Sequence, residues 1–550
     1  MTVGNGHVTC GVIGISWLLR GLSDNGFSDV AWLLATNNTY PSWGYMADNG
    51  ATTIWELWNG DKANPEMNSG NHVMLLGDLL TWCYQYIAGI RQTSTAYASS
   101  ATDETAYRHL VLKPSFDIQD CFQVDASYRT PYGLVESRWK KTLQQLHWEV
   151  AIPANTTADI YFPDGTKKNI GSGRYVYDCK IPTTSPAILE DEFLYENASF
   201  PEAHASTITE QKNGDLVAAY FGGTKERNPD VCIWVSRKKK SSNTWDKPIL
   251  AGDGVFELGS EQGNMCGVNE KTTDASVGPV IGQFSGKTMK RKACWNPVLF
   301  TLPNGEILLF YKVGLSVSDW QGCMVQTTDG GKTWSKREML PKGYLGPVKN
   351  KPILMGRKLI CGSSTEVGGW KFHVEILDLD TKQWKYVGPV AADSALATTS
   401  QKRAPIDCIQ PSLLKLKDGR IKVLMRTRNG RLAASYSSDG GYTWTPVTLT
   451  DVPNNQSGTD AVTLRDGRHV LIYNDFETIM GTPKGPRTPL SIAVSDDGDN
   501  WRHVLTLEDS PISQYSYPAI IEGRDGMLHC VYTWRRQRIV YKKIDLDLLR

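Results

Sequence analysis

Residues 437–444 (SSDGGYTW) constrain the fold most, because the chain holds two echoes of them. Residues 327–334 (TTDGGKTW) repeat the pattern with Thr for Ser, and 495–501 (SDDGDNW) repeat it one residue short and without the Thr. Each copy suits a tight hairpin. The Asp carboxylate accepts from backbone N–H groups of the turn, a Gly takes positive φ, and the Trp packs back under the hairpin. One Asp-Gly turn is commonplace, but three copies spaced to suit four-stranded units imply a repeat architecture.

A second repeat supports the first. The runs GDLVAAYFG, GEILLFYKVG, GRKLICGSS, GRIKVLMRTR, GRHVLIYND and GMLHCVYTW begin at Gly214, Gly305, Gly356, Gly419, Gly467 and Gly526. Each follows a shorter apolar stretch: ASTIT, NPVLF, KPILM, QPSLL, DAVTL and YPAII. Six strand–turn–strand units predict a six-bladed β-propeller, with a large β-sandwich and coincident turns as the alternative.

A chain of 550 residues points to more than one domain, and 18 Trp with 40% hydrophobic residues supply large cores. A balance of 59 basic against 58 acidic residues argues against a broad nucleic-acid or membrane surface. The run Arg237-Lys238-Lys239-Lys240 reads as a solvated hairpin tip. Eleven Cys lie without C-x-x-C pairs or a Cys/His cluster, so neither a zinc site nor a disulfide framework is expected, and no cofactor is implied. No apolar run is long enough for a transmembrane helix. The N-terminus shows no basic region followed by an apolar core and a cleavage site, so location is left open.

Residues 1–105 have another texture, with apolar residues at helical spacing over 13–22, 28–34 and 73–90. Between them Glu56 stands flanked by Trp55 and Trp58. It is a candidate general acid or base beside an indole platform for sugar, or equally a solvated Glu beside a packed Trp pair. The segment YPSWGYMADNGATTIWELWNG, followed by MNSGNH, resembles the last part of the (α/α)6 barrel of bacterial α-L-rhamnosidases. That resemblance implies that Glu56 matches the general base of an inverting hydrolysis and His72 a sugar-site residue. The family's general acid lies upstream, in a segment without a counterpart here. An inverting site needs two carboxylates, so the fragment is expected not to turn over rhamnosides.

Residues 106–180 become β-like, and YGLVESRWK and PANTTADIYFPDG resemble the β-sandwich that follows the barrel in the same enzymes. Residues 181–192, containing PTTSP, read as a linker, and 193–550 as the propeller. The expected fold is multidomain and mainly β: a partial α/α-barrel fragment, a small β-sandwich and a six-bladed β-propeller.

The runs FPEAHASTIT, DLVAAYFGGT, WNPVLF and YSYPAI resemble sialidase-type proteins with Asp-box repeats. First strands of a propeller converge on its axis. The polar residues at their starts are His204, Asn296, Asn350, Gln410, Asp460 and either Tyr515 or Tyr517. The resemblance implies three Arg holding a carboxylate, a Tyr nucleophile assisted by a Glu, and an Asp acid/base. The planar guanidinium fork matches a carboxylate, and a Tyr beside an anion needs its proton removed before attack. Carried over, Arg426 falls at the second Arg, with Arg428 two residues on as a substitute, and Arg487 at the third. Tyr515-Ser516 matches the Tyr-Ser motif, whereas Tyr517 better fits the distance to Gly526. Asp230, with Glu226 nearby in GGTKERNPD, falls at the acid/base.

Two positions depart from that pattern. His204 stands where the first Arg is expected, and Gln410, which cannot take a proton, stands where the assisting Glu is expected. Three readings follow: an exo-glycosidase for another acidic sugar, a lyase-like enzyme with His204 as base and a Tyr as acid, or a non-catalytic carbohydrate-binding propeller. The first is favoured, with an oligosaccharide or polysaccharide as substrate. The rhamnosidase-like part points to an acidic, rhamnose-containing glycan. Oligomeric state is not legible.

Overall fold

The computed structural model describes residues 6–92, 107–257, 280–284, 287–392, 406–478 and 484–549. They form two compact units, Met1–Thr183 and Thr184–Arg550.

The first unit opens with helices Val12–Asp24, Ser28–Thr36, Trp43–Asp48 and Val73–Trp82. The single helix expected over 73–90 is instead an α-helix followed by one π-helical turn, Cys83–Ile87. Gly89 ends it at φ 74°, where a Cβ would lie 2.2 Å from the Pro114 nitrogen, so only glycine lets the chain turn there. Two four-stranded sheets follow. In the strand Gln145–Ile152, Leu146, Trp148 and Val150 are buried while His147 and Glu149 face solvent, as period-two alternation requires.

The second unit is built from six four-stranded antiparallel sheets. Their first strands are Glu202–Glu210, Ala293–Thr301, Ile353–Met355, Cys408–Lys415, Asp460–Thr463 and Tyr515–Glu522. Within five of them the strands run in chain order; the sixth takes its outer strand from Ile188–Phe193, at the beginning of the unit. The linker expected over 181–192 is therefore partly strand, because the last sheet needs a fourth member to cover its edge. A three-stranded sheet, Val255–Glu257, Val280–Phe284 and Lys287–Arg291, lies between the first and second sheets in the chain.

The glycines that open the six apolar runs turn the first strand of each sheet into the second, all with positive φ, from 60° at Gly356 to 97° at Gly305. The runs are apolar throughout because alternate residues serve opposite neighbours. In the second sheet, Leu309 and Tyr311 pack toward the first sheet, whereas Leu308 and Phe310 pack toward the third. Further clusters join the third sheet to the fourth, the fourth to the fifth, the fifth to the sixth, and the sixth to the first.

The three Asp-containing repeats join third and fourth strands in the second, fourth and fifth sheets. Asp439 accepts from the Tyr442 and Thr443 nitrogens at 3.0 and 2.9 Å, and Trp444 Nε1 donates to the Gly441 carbonyl at 3.0 Å. In the short copy, Asn500 Nδ2 supplies Asp497 with the side-chain donor that Thr443 gives Asp439, 2.7 Å in both. Slight desolvation would raise the Asp439 carboxyl, but these donors bring it down to about 2. The carboxylates are spent on holding turns.

Candidate functional site

The site begins with a backbone irregularity. The first strands of the first, second, fourth and sixth sheets slip register between His204 and Thr207, Trp295 and Val298, Ile409 and Ser412, and Ser516 and Ala519. The first extra residue is left-handed in each: Ala205 at φ 56°, Asn296 at 39°, Gln410 at 58° and Tyr517 at 51°. In three of the four bulges a Pro follows, Pro297, Pro411 or Pro518, and its missing N–H breaks the ladder there. Non-glycine residues held in this region store strain, which is a mark of sites under functional constraint.

Two of these bulges meet. Tyr517 Oη accepts from Arg426 Nη1 at 2.6 Å and from Gln410 Nε2 at 3.2 Å. Arg426 Nη1 also donates to Gln410 Oε1 at 3.1 Å. A guanidinium only donates, so Arg426 decides which end of the Gln410 amide is oxygen and turns its NH2 toward the phenol. Arg426 stands on the second strand of the fourth sheet, Ile421–Thr427, where its neighbour Ile409 precedes the bulge. Gly458 lines the same spot; a Cβ there would lie 2.9 Å from Gln410 Oε1 and 3.5 Å from Tyr517 Cδ2.

Around this core the Arg487 guanidinium lies 5.4 Å from the Tyr517 ring centre and donates to Gln514 Oε1 at 2.9 Å and Ser516 Oγ at 3.3 Å. The His204 ring centre is 4.2 Å from that of Tyr517, and its Nδ1 is 2.8 Å from Thr533 Oγ1. Trp370 lies under both Arg426 and Arg428, 4.7 and 4.2 Å away. Arg536, in the turn between the second and third strands of the sixth sheet, holds Glu226 at 2.5 Å.

The electrostatics are those of crowded cations. Burial opposes ionisation of Tyr517, but Arg426, Arg487 and the Gln410 amide outweigh it and set the phenol below its ordinary range. Burial, followed by the charges of Arg536, Arg487, Arg426 and Lys349, drives His204 well below the usual imidazole value, so it is neutral at pH 7. Burial and its cationic neighbours Arg426 and Arg536 bring Arg487 down to about 10, and burial brings Lys349 down to about 7. Burial together with Arg426 and Arg487 lowers Lys484 as well. Glu226 is the carboxylate that acts on Arg487, Lys484 and Tyr517 together.

Other expected residues fall elsewhere. Tyr515 is wholly buried in the core between the fifth and sixth sheets, and burial pushes its phenol up. The bulge places Tyr517 beside Arg426 and Arg487, whereas the Tyr515 hydroxyl faces Arg535 at 3.5 Å. Asp230 is committed to its own loop, accepting from Thr224 N and Oγ1 at 2.7 and 2.9 Å. Arg428 is exposed and pairs with Asp407 at 3.4 Å. Asp460 is no free ligand group: it takes Lys351 Nζ at 2.7 Å, the Ile520 and Ala461 nitrogens at 2.9 Å and Ser412 Oγ at 3.3 Å, cross-linking three sheets. Asn350 donates to the Gln410 carbonyl at 2.9 Å, which braces that bulge, while its own buried Oδ1 has no partner among the described residues. Asn296 is buried at the second sheet's bulge.

Sequence reasoning missed Arg536, Trp370, Lys349, Lys484 and Gly458. Lys349 had a signal, as it precedes Asn350 and is itself left-handed at φ 73°. In the first unit, Glu56 Oε2 accepts from the Ser69 nitrogen at 2.8 Å and the His72 nitrogen donates to the Ile54 carbonyl at 2.6 Å, so the two motifs are tied together. Trp58 packs edge-on against Trp43 at 5.2 Å, leaving Glu56 half-exposed. Among the described residues, no group of three or more His, Cys, Asp or Glu is placed to hold a metal ion, and no helix is long and apolar enough to cross a membrane.

The chain's likeness to known proteins divides as its texture does. Residues 1–87 match the bacterial alpha-L-rhamnosidase 6 hairpin glycosidase domain and 89–188 the bacterial alpha-L-rhamnosidase C-terminal domain. An alpha-L-rhamnosidase of Streptomyces avermitilis is 35% identical over 162 residues, 28% of this chain but 15% of that enzyme. The anhydrosialidase of Macrobdella decora is 22% identical over 521 residues, 86% of this chain and 61% of that one. The chain thus spans well under two thirds of the rhamnosidase and somewhat under two thirds of the anhydrosialidase. The intramolecular trans-sialidase from Ruminococcus gnavus superposes with a TM-score of 0.47 at 14% identity, covering 66% of this chain and 99% of that one, a likeness too slight to carry an argument. Residues 214–530, more than half of the chain, match the BNR repeat-like domain, and with glycosidase-type domains ahead of it the chain belongs to the BNR repeat-like family.

Proposed function

We propose that the second unit is a closed six-bladed propeller acting as an exo-glycoside hydrolase on an acidic sugar, with Tyr517 as nucleophile. The observation that carries this reading is the double donation to Tyr517 Oη, by Arg426 and Gln410, inside a ring of cations. The cluster joining the sixth sheet to the first and the strand borrowed from Ile188–Phe193 support closure. Arg426, Arg487 and Arg536 supply the guanidinium forks for a sugar carboxylate, with Arg536 in place of the Arg that His204 displaces.

The chemistry follows from these places. The Tyr517 phenolate Oη, its proton already lost to solvent, bonds to the anomeric carbon while the glycosidic C–O bond breaks and its electron pair stays on the leaving oxygen, which takes a proton from the acid form of Glu226. Water then attacks the same carbon, gives a proton back to Glu226 and releases Tyr517, so configuration is retained. Glu226 takes this role rather than Asp230 because the Asp230 carboxylate is occupied by Thr224. The substrate is the acidic end of an oligosaccharide or polysaccharide; the rhamnosidase-type domains associate it with a rhamnose-containing glycan.

The deciding experiment is a screen of aryl glycosides of acidic sugars with the full chain and its Tyr517→Phe variant. Release of the acidic sugar that stops in the variant is the expected result. One observation favours a second reading: neutral, buried His204 against Tyr517 suits a base and acid for β-elimination beside a carboxylate. Product mass separates the two, since hydrolysis adds water to the sugars and elimination adds none.

A further inference from the structure

The strongest unexplained feature is that, among the described residues, no carboxylate is bonded to the phenol at the centre of the site. Both hydrogen bonds on Tyr517 Oη come from donors, Arg426 Nη1 and Gln410 Nε2. A carboxylate at position 410 would accept the phenol proton; an amide held oxygen-first by Arg426 can only donate. Two donors aimed at one oxygen favour the charge state with most lone-pair density, the phenolate.

We propose that Gln410 is a positioning residue: locked by Arg426, its amide donates to Tyr517 Oη, so that the two together let the phenol ionise to water without a carboxylate base. The step balances simply: the O–H bond breaks, its electron pair stays on Oη, and the proton leaves to solvent, which reaches part of Tyr517. The inference rests on the reading of Tyr517 as nucleophile, but it needs no substrate to be tested.

The surroundings agree from every side. Arg426 and Gln410 come from the fourth sheet, and Arg487 and Lys484 from the segment ahead of the fifth sheet's third strand, Leu490–Ser495. The first sheet contributes neutral His204 and Glu226. Glu226 is the group that opposes ionisation, and Arg536 pairs with it at 2.5 Å. Asn350 and Gly458 maintain the device: Asn350 bonds the Gln410 carbonyl at 2.9 Å, and a side chain at Gly458 would displace the Gln410 amide oxygen. Gln410 itself is held left-handed at φ 58°, a strained geometry that aims its side chain out of the ladder and at the phenol.

The test is an NMR pH titration of the full chain isotopically labelled at tyrosine Cζ, with the Tyr517 signal identified by its loss in Tyr517→Phe. The expected midpoint lies below the ordinary phenol value of about 10. Gln410→Glu, which adds a negative charge beside the oxygen, raises it by about one unit or more. Gln410→Met removes the donor without adding charge and also raises it, which preserves the test should Gln410→Glu fail to fold. A wild-type midpoint at or above the ordinary value, or one unmoved by both substitutions, overturns the proposal. A low midpoint without hydrolysis of any acidic sugar leaves this inference standing and removes the hydrolase reading; hydrolysis with an ordinary midpoint does the reverse.

Discussion

The two ends of the six sheets solve the same backbone problem differently. At the hairpin end, every turn from first to second strand uses a glycine with positive φ, so the left-handed backbone carries no side-chain strain. In the four bulges, the left-handed positions are Ala205, Asn296, Gln410 and Tyr517, and the strain is kept. The contrast separates fold from function. Where only a turn is needed, the residue with no Cβ stands. Where a side chain must reach another sheet, a less comfortable residue stands, and Gln410 and Tyr517 meet at 3.2 Å because of it.

The largest effect that tests this contrast is on activity. Tyr517→Phe should cost at least about a thousandfold in kcat/KM for an acidic aryl glycoside, as removal of a nucleophile does. Tyr515→Phe, two residues away in the core, and Glu56→Gln, in the first unit, should leave that rate within about threefold. Initial rates on the three purified variants decide it. A Tyr515→Phe enzyme as dead as Tyr517→Phe would mean that the bulge does not select the reacting residue.

Next in size is the anion clamp. Arg487→Lys keeps the charge but loses the fork, and should weaken binding of an acidic sugar by about 1.5–3 kcal/mol, roughly ten- to a hundredfold. Calorimetric titration with the free sugar measures it. Equal affinity in Arg487→Lys and in Arg536→Lys would remove the clamp. At the opposite end the effect should fall on stability alone: Gly419→Ala should cost about 1–2 kcal/mol through its φ of 88°, since a Cβ there meets nothing within 4 Å. Denaturant unfolding of that variant, with unchanged sugar binding, is the expected pairing.

The contrast also explains what was legible. Six turn glycines and period-two apolar runs are local signals, because a hairpin and a twice-covered strand each dictate residue type at fixed offsets. The mainly β second unit followed from them. The bulges are less legible, since one inserted residue turns over every later side chain; the distance to Gly526 favours Tyr517 while the Tyr-Ser motif points to Tyr515, and the bulge separates the two. The Pro after the left-handed residue was the usable clue: it marks Asn296, Gln410 and Tyr517, and it does not mark Asp460. Asp460 looked like a site residue because a polar side chain before an apolar strand reads the same whether it binds ligand or, as here, ties sheets together. Arg536 left no local trace, because its partner Glu226 is far away in the chain.

A smaller effect is expected from pH. His204 has its folded value driven well below its unfolded one of about 6.5, first by burial and then by the surrounding cations. The unfolded chain therefore binds the extra proton first, and the stability that neutral His204 contributes is present above about 6.5 and lost as pH falls below it. His469 and His529 are lowered in the same direction, both chiefly by burial, so His204→Gln should reduce but not abolish the decline in melting temperature on acidification. Asp439 acts in a lower window: its stabilisation is present above the ordinary carboxyl value of about 3.9 and is lost as pH falls toward about 2. Melting curves between neutral and mildly acid pH, taken for wild type and His204→Gln, separate the histidine contribution; identical slopes would show that His204 titrates freely.

The smallest effect probes the strain itself. Ala205 is the one bulge residue with no functional group, held at φ 56° between buried His204 and Ser206. If the left-handed backbone is a cost borne for the sake of side chains elsewhere in the ring, Ala205→Gly should relieve about 1–2 kcal/mol of it. Glycine's greater freedom in the unfolded chain takes back about 0.5–1 kcal/mol. The loss of one buried methyl, in the cluster that joins the first and second sheets, offsets most of what is left. A net change within about 1 kcal/mol of zero is therefore expected by denaturant unfolding, with unaltered sugar binding. A loss like that of Gly419→Ala would mean that Ala205 sits in its place for packing, and that the left-handed turn at the bulge end is no more strained than its counterparts at the hairpin end.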